Sequence, residues 1–380
     1  MDLSMFELMD KDKVLAAAGR TRSDGTCTFT ADGSILLCCD KDVETYRVPA
    51  GTRAIGPHAF EYRRRLTRIE LPEGLEDIGE AAFLACNALV KADFPTTLKH
   101  IGDIAFFATK LKSIRIPAGF EFMGDAPFLY MPRPAGRSGS MLAPECAVEV
   151  EPGNLRYSTS DGFLLERMDD GRLQAVYYFG PGGAVTIPDG VSRAGAYALT
   201  CSVTVDELNI PASLREVGTN GLSMHNHPDA IRLAVGQGEV LEILPSKESL
   251  KTRQYVRMFS DGVIDAAQLA KEYDAGLRAM KPTEERTRRI VRRLQNGVLL
   301  DGKDRSAFLN LLARDLDRIV ERCARSDDVQ TAGALCDLGV ICRSNMSHAI
   351  DVANAVGGVA VCGRLIQASR NMASRLSLDL

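Results

Sequence analysis

The chain has 380 residues, is 45% apolar and only 6% aromatic with no Trp, and carries a net charge of −4. That length suits two or three ordinary domains or one elongated repeat array with a cap. The weak negative balance excludes a general attraction to nucleic acid or to a membrane surface, and no apolar run approaches the ~18 residues of a membrane-spanning helix.

Residues 1–25 read as an N-terminal cap helix. Asp2, Glu7, Asp10 and Asp12 interrupt the first stretch and no basic segment precedes an apolar one, so it lacks the pattern of a signal peptide and predicts a cytoplasmic protein. The ten Cys (27, 38, 39, 86, 146, 201, 323, 336, 342 and 362) contain no C-x-x-C pair. A zinc knuckle or a thioredoxin-type site is therefore not expected, and reduced, mostly buried thiols are. The vicinal Cys38 and Cys39 alternate along a strand, which predicts one buried and one exposed thiol.

From residue 26 the chain repeats. Pro49, Pro72, Pro95, Pro117, Pro188 and Pro211 are separated by 23, 23, 22, 71 and 23 residues. After each proline comes an I-G-x-x-A-F box: Ile55-Gly56 with Ala59-Phe60, Ile78-Gly79 with Ala82-Phe83, and Ile101-Gly102 with Ala105-Phe106. Weaker copies start at Met123-Gly124, Ala194-Gly195 and Val217-Gly218. Before each proline lies a short alternating strand, such as Leu66, Ile69, Leu71 or Leu111, Ile114, Ile116. The alternation points apolar residues into a narrow core, and the proline ends the ladder. The glycine reads as the tight bend that returns the chain. One such unit cannot bury its own apolar face, whereas stacked neighbours bury a continuous one. The expected product is a right-handed coil with one strand per turn.

This spacing and consensus resemble the BspA-like (Treponema-type) leucine-rich-repeat family over roughly residues 26 to 235. A hairpin trait of that family is similar to the segment 148–187, where Tyr157 and Asp161-Gly162 lead through Phe163-Leu164-Leu165 and Val176 to the Gly180-Pro181-Gly182-Gly183 turn. Phe29 to Leu37, with Asp32-Gly33, is a shorter copy. Asp-Gly between apolar strands is hairpin turn chemistry. The resemblance implies recognition or adhesion, often at a cell surface. Met131 to Ser140 is Pro/Gly/Ser-rich and reads as a loop.

Beyond residue 245 the period becomes helical. Ala266, Leu269, Ala270, Tyr273, Leu277 and Met280 follow helical spacing. Lys281-Pro282-Thr283-Glu284-Glu285 is a stop, an N-cap and an acidic first turn, and Gly297 closes the helix that follows. Asp304 reads as the cap of a next helix bearing Phe308, Leu311, Leu312, Ile319 and Val320. Asp327 to Gly339 and His348 to Ile366 weakly resemble ankyrin-type helix pairs. The fold class expected is α+β: a repeat solenoid with short stacked parallel strands and a hairpin insertion over 26–245, followed by an α-helical region over 246–380 that caps it.

The exposed strand positions fall into columns about 4.8 Å apart. One holds Arg47, Glu70, Asp93 and Arg115, with Arg47 facing Glu70 and Asp93 facing Arg115; the second holds Thr45, Arg68, Lys91 and Ser113. On a curved solenoid sheet such a face suits a protein or peptide ligand. Arg288, Arg289, Arg292 and Arg293 read as the solvated side of an amphipathic helix whose apolar side is Ile290, Val291 and Leu294. His225 and His227 offer two imidazoles without an evident third ligand. The Gly180–Gly183 run lacks the spacing of a phosphate-binding loop, and no G-x-S-x-G or H-E-x-x-H motif is present. The function expected is a non-enzymatic binding or scaffolding module for a protein partner, with no cofactor, no nucleic acid and no membrane span. The alternatives are a metal- or thiol-dependent enzyme using His225, His227 or a Cys, a surface adhesin of the BspA type, and self-association through the helical region.

Overall fold

The computed structural model describes residues 18–39, 42–129, 146–199, 203–224, 228–245 and 262–376. The chain divides into two compact units. The first comprises residues up to Asp229 together with Tyr255–Ile264, and the second Ala230–Gln254 with Asp265–Leu380. The hairpin of Ala230–Gly236 and Glu239–Ile243, at the end of the stretch expected to be solenoid, therefore groups with the helices.

In the first unit the phased blocks are stacked turns. Each full turn contributes two strands, not the single one expected. The pre-proline strands Thr45–Arg47, Arg68–Glu70 and Lys91–Asp93 pair in parallel and in register. A second set starts on Ile35–Cys39 and continues with one strand at each box, Ala54–Ile55, Asp77–Ile78, His100–Ile101 and Phe122–Met123, again in parallel. Between the two sets the turns stay bonded, through His58 N to Glu80 O (2.9 Å), Phe60 N to Ala82 O (2.7 Å) and Phe83 N to Ala105 O (2.7 Å).

Inside the coil, Leu66, Ile69, Ile78, Leu89, Ile101, Phe60, Phe83 and Phe106 form one buried cluster. The rings of Phe60, Phe83 and Phe106 lie nearly parallel at 5.0 and 4.9 Å, and Phe128 continues the stack at 5.6 Å. The small alanine before each Phe leaves room for this stack.

The box glycine does not make the bend. A Cβ on Gly79 would sit 2.7 Å from Pro57 N, and one on Gly102 would sit 2.6 Å from Glu80 N. Glycine is required because adjacent turns approach too closely there for any side chain. The left-handed backbone falls two residues later on His58, Ala81, Ile104, Ala126, Tyr197 and Asn220, positions that a non-glycine residue rarely adopts without a repeated structural reason.

The hairpin module is present: Tyr157–Ser160 and Phe163–Arg167 are antiparallel, with Asp161 and Gly162 both at positive φ in the connecting turn. Leu173–Tyr178 joins Phe163–Arg167 and then pairs in parallel with Val191–Ala194, which re-enters the coil. Gly180 to Gly183 is the turn into Gly183–Thr186, paired in parallel with Val205–Ile210. At the other end, Cys27–Thr30 and Ile35–Cys39 form the shorter hairpin. Most of the expected N-terminal helix lies outside the described residues, and within it Thr21–Ser23 is a strand paired with Cys27–Thr30. Cys38 and Cys39 are both buried, because strand Ile35–Cys39 is covered on both faces along its whole length. The loop over 131–140 lies outside the described residues.

The second unit holds seven helices among the described residues: α1 (Ala266–Ala279), α2 (Glu284–Asn296), α3 (Gly302–Arg314), α4 (Leu316–Ser326), α5 (Val329–Asp337), α6 (Met346–Ala355) and α7 (Val359–Leu376). Thr283 caps α2 by accepting from Arg286 N, and Gly297 ends it at φ 65°. Asp301, not Asp304, caps α3: its carboxylate accepts from Asp304 N at 2.7 Å, while Asp304 pairs with Arg278. The helix expected to run from Phe308 to Val320 is broken at Asp315 into α3 and α4. Helices α4, α5, α6 and α7 pack as pairs, α4 on α6, α5 on α7 and α6 on α7. No helix among the described residues is long and apolar enough to cross a membrane.

Candidate functional site

The pre-proline strands set the geometry of the exposed face. Alternation buries Ile69, Ala92 and Ile114 and turns Arg68, Lys91, Asp93, Ser113 and Arg115 outward, with Glu70 half-buried. Register aligns Thr45 with Arg68 and Lys91, and Arg47 with Glu70 and Asp93. The same inter-turn bond precedes each strand, from Thr67 N to Glu44 O, Val90 N to Thr67 O and Lys112 N to Val90 O. It carries the face on to Ser113 and Arg115. Strand Ser113–Ile116 then pairs with Ala147–Val150, so Arg115 lies beside Glu149.

Charges along this face are compensated locally. Arg47 meets Glu70 at 2.6 Å, as expected, and Arg68 reaches the same carboxylate at 3.4 Å. Asp93 is bridged by Lys91 of its own strand at 3.3 Å, whereas Arg115 pairs with Glu151 at 3.2 Å and Glu149 at 4.0 Å. The expected pairing of Asp93 with Arg115 is therefore replaced. A shorter path exists along Asp93's own strand, and on its other side Arg115 has Glu149 in the next strand and Glu151 just after it. Exposed pairs of this kind contribute about 0–1 kcal/mol each. They leave the side chains available: Arg47 is 81% exposed.

A second charged ladder, which the sequence reading did not single out, follows the short strands of the I-G boxes. Arg53 and Lys99 both pair with Glu76. His100 Nδ1 lies 2.6 Å from the buried Asp77, and its Nε2 lies 3.7 Å from Glu121. Hydrogen bonding by Arg53 holds the Glu76 carboxyl below the ordinary range. The signal was present in the sequence: Arg53, Glu76, Lys99 and Glu121 each stand four residues after a phased proline.

Two of the four arginines expected on the solvated side of α2, Arg289 and Arg293, are buried instead. Arg293 is fully buried, forked onto Asp274 of α1 at 2.7 and 2.9 Å with Val298 O at 2.8 Å. Arg289 is buried on the carbonyls of Leu244 and Pro245 and on Glu285. Arg286 is buried 3.8 Å from Asp315, and burial lowers its pKa. Arg288 and Arg292 are exposed as expected, and Arg292 grips Glu242. The spacing 286, 289, 293 is one helical face, and carboxylates and carbonyls line what it packs against.

His225 and His227 lie outside the described residues. Among the described residues no group of three or more His, Cys, Asp or Glu side chains is arranged to hold a metal ion.

Phased proline-terminated strands, an I-G-x-x-A-F return arm and a continuous Phe stack define a leucine-rich-repeat solenoid. Residues 37–132 match, in six copies, the family described as the BspA type leucine rich repeat region, and the turns over those residues are of that type. Among solved structures the chain is similar to a leucine rich cell surface protein from Faecalibacterium prausnitzii, at 16% identity over 53% of this chain and 73% of that one, with a TM-score of 0.32. It is also similar to a leucine-rich repeat protein from Eubacterium ventriosum, at 17% over 54% and 63% with a TM-score of 0.36. The pneumococcal vaccine antigen PcpA is similar at 19% over 49% and 51%, with a TM-score of 0.39. The match spans less than two thirds of the last two chains. No curated protein matches this chain.

Proposed function

We propose that the protein is a non-enzymatic interaction module that binds a protein or peptide partner on the pre-proline strand face, at Arg47, Arg68, Glu70, Lys91, Asp93, Ser113 and Arg115. The observation that carries this reading is the register that lines Arg47 up with Glu70 and Asp93, and Thr45 with Arg68 and Lys91, on outward-facing positions of three successive turns. The backbone at those positions is fixed by strand pairing, so a ligand meets a charged face whose strands need no further ordering. Acidic Glu70 and Asp93 in one column lie beside basic Arg68 and Lys91 in the other, which favours a partner carrying both signs, and complementary charge acts chiefly on specificity and encounter rate.

Affinity capture with the intact chain, followed by titration of each captured protein, tests the reading. The triple variant Glu70→Lys, Asp93→Lys, Arg115→Glu is expected to weaken a partner's affinity by at least about tenfold while leaving the circular dichroism spectrum unchanged. Unchanged affinity for every captured protein removes this face as the site.

A further inference from the structure

Cys27 and Cys39 stand opposite each other on the antiparallel strands Cys27–Thr30 and Ile35–Cys39. The backbone shows which kind of pair this is. The Cys39 amide donates away from strand Cys27–Thr30, to Ala59 O at 2.7 Å. The Cys27 carbonyl turns to the opposite side, accepting from Asp24 N at 3.2 Å and Ser23 Oγ at 3.0 Å. Neither residue bonds its partner's backbone, so this is the close, non-hydrogen-bonded kind of pair, whose Cα atoms approach to about 4.5 Å. A disulfide spans Cα separations of about 4.4–6.8 Å. The side chains agree with this approach: the Cys39 thiol donates to Thr26 O at 3.7 Å, on the residue that precedes Cys27. Cys38 pairs with Thr28 and projects to the other face of the strand.

We propose that Cys27 and Cys39 are a disulfide site that closes when the chain folds in an oxidising milieu and staples together the two strands of the N-terminal hairpin on which the first turn of the solenoid is laid. The oxidant is a low-molecular-weight disulfide such as oxidised glutathione. One cysteine thiolate attacks it, forming a mixed disulfide and releasing one glutathione thiol. The second cysteine then displaces the remaining glutathione, forming the S–S bond between Cys27 and Cys39. The two protein thiols lose two protons and two electrons, and the oxidant's disulfide becomes two thiols.

Position gives the bond its effect. Both residues belong to the buried cluster that includes Phe60, and Ile35–Cys39 is the strand on which Ala54–Ile55 of the next turn is laid. Strand Cys27–Thr30 holds Thr21–Ser23 in turn. A link at the open end of this hairpin resists fraying of the outer strands, and a disulfide closing a loop of this size stabilises chiefly by restricting the unfolded chain. Cys27 and Cys39 are both buried, so a disulfide oxidant reaches neither thiol in the fully folded chain and closure accompanies folding.

The test refolds the full chain from denaturant in a mixture of reduced and oxidised glutathione, blocks residual thiols, and maps disulfides by mass spectrometry. The expected result is a dominant Cys27–Cys39 linkage with the loss of two hydrogens, formed equally in a Cys38→Ala variant. Adding a phosphine reductant to that same sample is expected to lower the thermal midpoint by several degrees, a comparison that does not depend on whether Cys27→Ser folds. Dominant linkage through Cys38 or another cysteine overturns the proposal, as does a refolded chain bearing only mixed disulfides with glutathione or only reduced Cys27 and Cys39.

Discussion

Arg293 illustrates how a charge comes to be tolerated inside a helical unit. Its guanidinium has no exposed side-chain surface, and the paired Asp274 has 2%. The fork satisfies both carboxylate oxygens, and Val298 O takes another donor. Removing one partner of such a pair costs about 3–5 kcal/mol because the other is left charged and buried. Asp274→Ala is therefore expected to lower the unfolding free energy by that amount, read from the urea transition of the helical signal. Arg288→Ala, on the exposed side of the same helix, should stay within about 0.5 kcal/mol of the parent. Equal effects of the two substitutions would place the arginine face in solvent. Gly102 makes a parallel case in the solenoid. Gly102→Ala puts a methyl 2.6 Å from the Glu80 amide nitrogen, and backbone must move to admit it. A loss of about 2 kcal/mol or more is expected in equilibrium unfolding, although alanine would normally be the better residue wherever φ is negative.

At the scale of elements, the repeat was legible because each of its parts is local. Proline spacing, strand alternation and the A-F pair all lie within one 23-residue block, and the Phe60–Phe83–Phe106 stack is those blocks laid on one another. Truncating the middle ring, Phe83→Ala, should cost about 3–5 kcal/mol, with the near-ultraviolet aromatic signal falling as the neighbouring rings lose their contact. An unchanged unfolding midpoint would mean the rings do not share a core. The second strand of each turn was not legible. Two-residue strands such as Ala54–Ile55 carry no alternation of their own and exist only through pairing with the next turn. Helix caps were half legible: Thr283 precedes an acidic turn and stands out, whereas Asp301 and Asp304 are equivalent by sequence and only the first reaches an amide. The orientation of α2 was hidden for a different reason. A helical wheel ranks Arg as outward-facing, and Asp274, Leu244 and Pro245, which line its resting place, belong to segments the wheel does not contain.

On the scale of the whole molecule, the two units answer acid through different groups. On the pre-proline strand face of the solenoid Asp93 is exposed and Glu70 half-buried, and screening leaves each pair there little to lose. In the helical unit Glu242 is buried, gripped by Arg292 and approached by Arg232 at 3.4 Å. The hydrogen bond from Arg292, opposed by burial and assisted by the charge of Arg232, holds its pKa below the ordinary glutamate value of 4.5. A depressed folded-state pKa means that the ionised form stabilises the fold at any pH above that ordinary value. The contribution is withdrawn as pH falls through the folded-state value, where the protein must take up a proton that the unfolded chain already holds. The helices lie in this unit, so the far-ultraviolet helical signal follows it. Its thermal midpoint is expected to be flat near neutrality and to drop as pH descends below 4.5. In Glu242→Gln the midpoint should be lower at neutral pH and that part of the acid slope should vanish, because no proton is left to take up. A variant that kept the full slope would assign it to other carboxylates and leave the Arg292 grip without energetic weight.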